Sequence, residues 1–297
     1  MEDMTAISIE DARAILADRN LITVGARGDE ERRRRHGRRT TFVRVLEVHT
    51  DAIPSALPAS ASAGEIRVTG KPPSVAAAVA SVKAARALAG SVPLSAYSLA
   101  DLLELVGGSI ASLTDLVARL AAAGLEIVAD APIDRLPDAP VAIRAARDAG
   151  VQVPRLTVHE PASGDPLHFV TLARDIQSAG GGVRAFAPLP RISSVAQPST
   201  GYDDVKQIAV ARLLADNIDS IQVDWALYGP KLAQVALTMG ADDVDAVSPL
   251  EGDLGRRRSP IEEIRGNITA AGLEPIERDA YFMPRNTRNT QAADHAE

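Results

Sequence analysis

Residues Val183–Val247, VRAFAPLPRISSVAQPSTGYDDVKQIAVARLLADNIDSIQVDWALYGPKLAQVALTMGADDVDAV, decide the fold. The stretch reads strand, helix, strand, helix, strand: Val183–Pro188, Tyr202–Asp216, Ser220–Leu227, Pro230–Met239 and Asp243–Val247. Short apolar runs alternating with helical patterns imply βα units and a parallel sheet. Pro230 suits a first helical turn, where a missing N–H costs nothing, and Gly240 suits the position just past a helix end. Thr200 or Ser199 reads as the N-cap of the first helix, with Asp203 and Asp204 in its first turn.

The same alternation extends toward the N-terminus. Strands are expected at Thr40–His49, Glu65–Thr69, Val92–Tyr97, Leu125–Ala129 and Val153–His159, with helices at Val75–Ala89, Leu113–Ala123, Val141–Ala149 and Pro166–Ala179. A last helix is expected at Pro260–Ala271. Eight strands with intervening helices make the chain α/β, a (β/α)8 TIM-type barrel whose complete closure the sequence leaves open. A doubly wound sheet is the runner-up. It requires a Gly-rich turn after its first strand, and Gly180-Gly181-Gly182 instead precedes one. Residues 1–39 form an N-terminal helical lead-in: Ser8–Ala17, capped by Ser8 with Asp11 completing a variant capping box, then Leu21–Arg35, ending near Gly37. The barrel covers 40–283, interrupted by a Pro/Ala/Ser-rich loop at Asp51–Gly64, and a polar, frayed tail covers 284–297.

The 297 residues are 46% hydrophobic, enough for a large core, but only 3% aromatic, so Ala, Val, Leu and Ile must build it. A net charge of −7 argues against a nucleic-acid partner. The basic run Arg32–Arg35 with Arg38 and Arg39 reads as a solvated helix end complementing the dipole, or as a docking surface for a partner or an anionic ligand. No apolar stretch approaches the ~18 residues of a membrane span. Met1–Asp11 lacks the apolar core of a signal peptide, so a cytoplasmic location is expected. The chain has no cysteine, which removes disulfides and thiolate metal sites.

From Ala185 to Tyr281 the chain resembles the futalosine-pathway radical S-adenosylmethionine family, aminofutalosine synthase and cyclic dehypoxanthine futalosine synthase. The resemblance rests on Ala185-Phe186-Ala187-Pro188-Leu189, Thr200–Lys206 with Ile208–Asn217, Gly229–Leu237, Gly240-Ala241-Asp242-Asp243-Val244-Asp245, and Glu277–Tyr281. Leu21–Gly25 and Arg34–Gly37 resemble the family's lead-in. A deazaflavin-precursor synthase is a more distant relative. The family implies a 4Fe–4S cluster held by three cysteines just after the first strand, and a Gly-rich turn contacting S-adenosylmethionine after the second. This chain has His49–Pro58 at the first place and Val68-Thr69-Gly70-Lys71-Pro72-Pro73 at the second. Clusters of this kind need thiolates, so no iron–sulfur cluster and no radical cleavage of S-adenosylmethionine are expected.

In such a barrel, chemistry sits at the C-terminal ends of the strands. Topology places His49, Asp51, Lys71, Tyr97, Asp130, His159, Glu160, Arg191, Asp224, Tyr228, Asp245 and Glu251 there. His159 and Glu160 are the catalytic candidates, His as general base and Glu orienting it or binding a ribose hydroxyl; a solvated loop pair is the alternative. His49, Lys71, Arg191, Asp224, Tyr228 and Asp245 are the ligand-binding candidates, with Arg191 as an anion clamp. No metal site is expected. Asp242, Asp243 and Asp245 read as carboxylates that cap and position the last strand and therefore need backbone or arginine partners. The leading expectation is a pseudoenzyme, an auxiliary partner of an intact radical enzyme of the same family or a self-dimer. The alternatives are a non-radical enzyme acting on a nucleoside-like or carboxylated aromatic compound, and a module binding such a ligand or S-adenosylmethionine without reaction.

Overall fold

The computed structural model describes residues 7–58, 61–162, 164–192, 201–250 and 260–285. The strands are β1 (Arg39–His49), β2 (Glu65–Thr69), β3 (Leu94–Ser98), β4 (Ile127–Pro132), β5 (Arg155–Val158), β6 (Ala185–Pro190), β7 (Ser220–Asp224), β8 (Asp243–Val247) and β9 (Glu274–Glu277). The helices are α1 (Ile9–Ala17), α2 (Leu21–His36), α3 (Val75–Ala89), α4 (Leu99–Leu105), α5 (Ile110–Ala122), α6 (Ala139–Asp148), α7 (His168–Ser178), α8 (Gly201–Leu214), α9 (Trp225–Leu237) and α10 (Pro260–Ala270).

β1 to β8 pair in parallel in chain order, and β8 and β2 both pair with β1, so the barrel is closed. The expected (β/α)8 architecture is the observed one. Closure depends on the length of β1. Its second half, Val45–His49, pairs with β2, while on the same edge its first half, Arg39–Phe42, pairs with β9. β9 thus occupies the strand edge that the five-residue β2 leaves open. It was not expected from sequence, because Glu-Pro-Ile-Glu is short and carries a proline. α4 was not expected either. The seventh strand ends at Asp224, three residues before the expected Leu227, because Asp224 caps α9 by accepting from the Leu227 N–H at 2.9 Å. α9 bends at Gly229 (φ 72°), after which Pro230 opens its second part.

The lead-in forms as expected. The Ser8–Asp11 capping box is present, and Asn20 accepts from the Ile22 and Thr23 amides to start α2. α1 and α2 pack on α8. The basic run is a partial correction to the solvated reading. Arg33 and Arg34 point outward, but Arg32 is buried against Asp29 and the Gly37 carbonyl. Arg35 donates to Glu31 and to the carbonyls of Asp216 and Ile218. Arg35 therefore docks the lead-in to the barrel base, while Arg32 braces the end of α2. The N-cap expected at Ser199 or Thr200, the candidate Glu251 and the tail after Arg285 lie outside the described residues.

Between sheet and helices the packing is apolar: Ile66 and Val68 of β2 meet a shell that includes Ala78, Val82 and Ala85 of α3. The inside of the barrel is different. Barrels of this class are usually filled by branched aliphatic side chains. Here Glu65 and Arg67 of β2, Arg155 of β5 and Asp245 of β8 meet across the axis, each with at most 5% of its side chain exposed. Arg67 donates to Glu65 at 2.8 Å and to both Asp245 oxygens at 2.9 and 3.1 Å. Arg155 donates to Asp245 at 2.8 Å and to Glu65 at 3.2 Å. Ser95 Oγ donates to Glu65 at 2.5 Å. Below this quartet, Arg278 clamps Asp243 at 2.5 and 2.6 Å.

Removing one member of a buried ion set leaves a charge without a counter-charge, which costs about 3–5 kcal/mol. Asp245→Ala is therefore expected to lower the unfolding free energy by about that amount in urea titration, with partial recovery in Asp245→Ala/Arg155→Met. The set also makes stability acid-sensitive. Burial alone raises the Glu65 pKa, but Arg67 and Arg155 outweigh it and hold it at about 2, against an ordinary 4.5. Asp245 is lowered by Arg155 and Arg67 in spite of burial. Both folded pKa values lie below the unfolded ones, so this stabilisation is complete above the unfolded values and disappears as pH falls. Thermal melts are expected to drop steeply from about pH 4.5 toward pH 2, more steeply than in the Asp245→Ala variant.

Candidate functional site

At the C-terminal ends of the strands two cavities of about 360 and 230 Å³ share Glu47, Ser98, Asp101, Asp130 and Arg191, and together form one cleft across the barrel mouth. Each lining group is placed by an element end. Glu47 is third from the end of β1, with 54% of its side chain exposed, and its nearest cation, Arg67, is 4.0 Å away. Asp130 of β4 accepts from Thr157 Oγ1 at 3.0 Å. Arg191 directly follows β6; its guanidinium donates to Asp224 at 3.2 Å and lies 3.8 Å from Asp130. Asp101 sits in the first turn of α4 and accepts from Arg135 at 2.9 Å. Lys71 follows β2 and pairs with Glu104 at 2.6 Å.

The floor of the smaller cavity is the top of the buried quartet, since Arg67 and Arg155 line it. Two buried polar atoms there have no protein partner among the described residues: Arg155 Nε and Ser98 Oγ. Ser98 is the N-cap of α4, yet its hydroxyl makes no capping hydrogen bond. Buried donors left open cost free energy unless a ligand or water completes them. The cleft is therefore equipped for a polar ligand, with arginines and carboxylates on its walls and an apolar edge at Pro132, Ile192 and Leu227.

Asp224 is the carboxylate best placed for proton exchange. Burial raises its pKa first and the nearby Asp245 raises it further, while Arg191 lowers it. Tyr228 does not line the cleft; its hydroxyl donates to the Pro190 carbonyl, and burial raises its pKa. Tyr97 stands with φ 57° and reaches the Thr50 hydroxyl at 2.9 Å.

Of the expected site residues, the cleft gathers His159, Arg191, Asp224 and Lys71, with Tyr97 and Asp130. Glu160 is exposed and does not line it; its amide and that of His159 both donate to Asp134, at 2.8 Å each. Asp245 lies beneath the floor, spent on Arg67 and Arg155. His49 is 3.7 Å from Asp51, with its ring against Gly70. Asp101, Ser98 and Arg135 were missed. Ser98-Leu99-Ala100-Asp101 carries a capping-box spacing that would have found α4 and the first two. Among the described residues no group of three or more metal-ligating side chains is arranged to hold an ion.

Residues 185–291 match the CofH/MqnC C-terminal region. That stretch, about a third of the chain, is similar to the family, in a chain without cysteine. It is 35% identical over 129 residues to the 5-amino-6-(D-ribitylamino)uracil–L-tyrosine 4-hydroxyphenyl transferase of Archaeoglobus fulgidus, covering 39% of this chain and 38% of that one. It is 33% identical over 156 residues to the aminodeoxyfutalosine synthase of Thermus thermophilus, covering 47% and 42%. With the cyclic dehypoxanthine futalosine synthase of Streptomyces coelicolor it shares 28% over 199 residues, covering 58% and 49%. The chain thus spans less than half the length of these curated relatives. The solved methylornithine synthase PylB has the same fold over 97% of both chains, with a TM-score of 0.63 at 14% identity. The [FeFe]-hydrogenase maturase HydG follows at 0.61 over 92% of this chain and 73% of its own, also at 14% identity.

The residues present do not fit the cluster that the resemblance implies. No thiolate exists anywhere in the chain. At the start of the β1–β2 connection the nearest donors are His49 and Asp51, and a single imidazole with a carboxylate does not replace three thiolates. The turn after β2 is also covered: Gly70 has φ 85°, and a Cβ there would collide with the His49 ring. In the cleft itself, Arg191→Ala removes the one nearby cation that lowers the Asp224 pKa most. Carboxyl ¹³C NMR titration is expected to show Asp224 moving further upward in that variant; a downward move would contradict the assigned geometry.

Proposed function

We propose that the protein is a cluster-free auxiliary partner of an intact member of its family in menaquinone biosynthesis through futalosine, holding a small polar ligand in the mouth cleft without radical chemistry. One observation carries this reading: the place of the cluster holds no thiolate and His49 covers the adjoining turn, while the cleft behind it keeps open polar groups at Ser98 and Arg155. A catalyst that had merely exchanged one ligand would keep the rest of the cofactor site.

Three measurements test it. After anaerobic reconstitution with iron and sulfide, the purified chain is expected to retain no stoichiometric iron and to give no charge-transfer absorption. Deleting its gene in the producing organism is expected to lower menaquinone, and the protein is expected to co-purify with the intact paralogue. Unchanged menaquinone together with no association sinks the partner role.

A second reading, a non-radical acid–base enzyme, is favoured by a different observation. Asp224, with its raised pKa, shares the cleft with Arg191 and His159. On that reading Asp224 holds the proton and Arg191 holds a carboxylate of the substrate. Turnover of a futalosine-like substrate that survives Asp224→Asn would remove it.

A further inference from the structure

A separate cavity of about 240 Å³ opens at the other end of the barrel, under the N-terminal ends of the strands. It shares no lining residue with the mouth cleft, and the buried quartet lies between them. Four arginines reach it from four parts of the chain: Arg35 from α2, Arg39 from β1, Arg184 before β6 and Arg278 after β9. Only Asp219 and Asp242 oppose them in the lining.

The carboxylates around this cavity are already engaged. Asp242 is held by Arg212, and Asp219 lies 3.2 Å from Arg184. Asp243 is clamped by Arg278, and Glu31 is shared by Arg34 and Arg35. With these partners included and the outward-pointing Arg34 left aside, five arginines face four carboxylates, a local positive excess in a chain whose net charge is −7. Arg39 is the cation in the lining for which the described residues show no ion pair. The basic run that includes it is thus only partly used by docking of α2.

The walls are held in place. The Arg278 guanidinium lies 3.9 Å from the centre of the Phe282 ring, a stacking that fixes its plane. Phe282 itself adopts φ 65°, a conformation that a bulky residue keeps only where its surroundings impose it. Ser220, buried in the same wall, adds a hydroxyl.

We infer that this cavity binds a phosphate group, either free or as the monoester of a small molecule. Planar guanidinium forks match the oxygens of a phosphate, and the local positive excess favours an anion there.

Isothermal titration of the full chain with inorganic phosphate and with ribose 5-phosphate tests the site. Saturable binding is expected, weakened about tenfold or more in Arg39→Ala and unchanged in Arg191→Ala, which alters only the mouth. Arg39→Lys keeps the charge and is expected to retain most of the binding, which separates loss of charge from damage to the start of β1. Tighter ribose 5-phosphate binding assigns the site to a monoester, and equal binding assigns it to free phosphate. No saturable binding of either ligand at millimolar concentration overturns the inference. Binding that Arg191→Ala abolishes and Arg39→Ala leaves intact overturns it too. Neither result bears on the auxiliary role, which concerns the opposite end of the barrel.

Discussion

The four charges inside the barrel constrain everything built around them. Glu65, Arg67, Arg155 and Asp245 come from three strands, and each neutralises a charge that would otherwise sit unsolvated. Such a set tolerates no slip. A one-residue shift of β2 against β1 would turn Glu65 and Arg67 into the apolar shell and bring Ile66 and Val68 inside. Aliphatic packing can adjust to a small misfit by rotamer changes. A two-by-two ion set cannot, because its hydrogen bonds fail over a few tenths of an ångström. The quartet therefore fixes register in the half of the barrel where β2 is short, and it also serves as the floor of the mouth cleft.

The fold was legible in the sequence and the filling of the barrel was not. Alternating apolar runs, terminal glycines and proline-opened helices report local structure, and they reveal the eight barrel strands and the surrounding helices other than α4 in order. The interior was hidden because its partners are remote: Arg67 and Asp245 are 178 positions apart. Read locally, Glu65 and Arg67 in EIRVT look like the solvent side of an amphipathic strand. They are the inside of a closed one. β9 and α4 were hidden for simpler reasons. Each is short, and β9 exists only because β1 offers it an unpaired edge.

The candidate cleft shows the same division. Residues at strand ends could be named from topology alone, and His159, Arg191, Asp224 and Lys71 do meet there. Topology could not tell which strand-end side chains turn into the cleft and which are consumed by the scaffold. Tyr228 is tied to Pro190, and Glu160 contributes only an amide to the loop that Asp134 organises. What the mouth can offer a ligand is therefore the set of groups that the scaffold leaves incomplete, and Ser98 Oγ and Arg155 Nε are the clearest of these.

The motif Gly240-Ala241-Asp242-Asp243-Val244-Asp245 carried much of the family resemblance, and the structure explains its carboxylates without any chemistry. Asp242 accepts from Arg212 and from the Ile221 amide, Asp243 from Arg278, Gln222 and Thr41, and Asp245 from Arg67 and Arg155. This agrees with the need for arginine partners read from the sequence. Three acids in four positions at the start of β8 thus tie one strand to a helix outside the barrel, to the barrel base and to its interior. Replacing all three in this chain would break four buried ion pairs at once. The fold alone therefore accounts for these three carboxylates. The informative residues are those the fold does not need: Glu47, the open donors at the mouth, and Arg39 at the base.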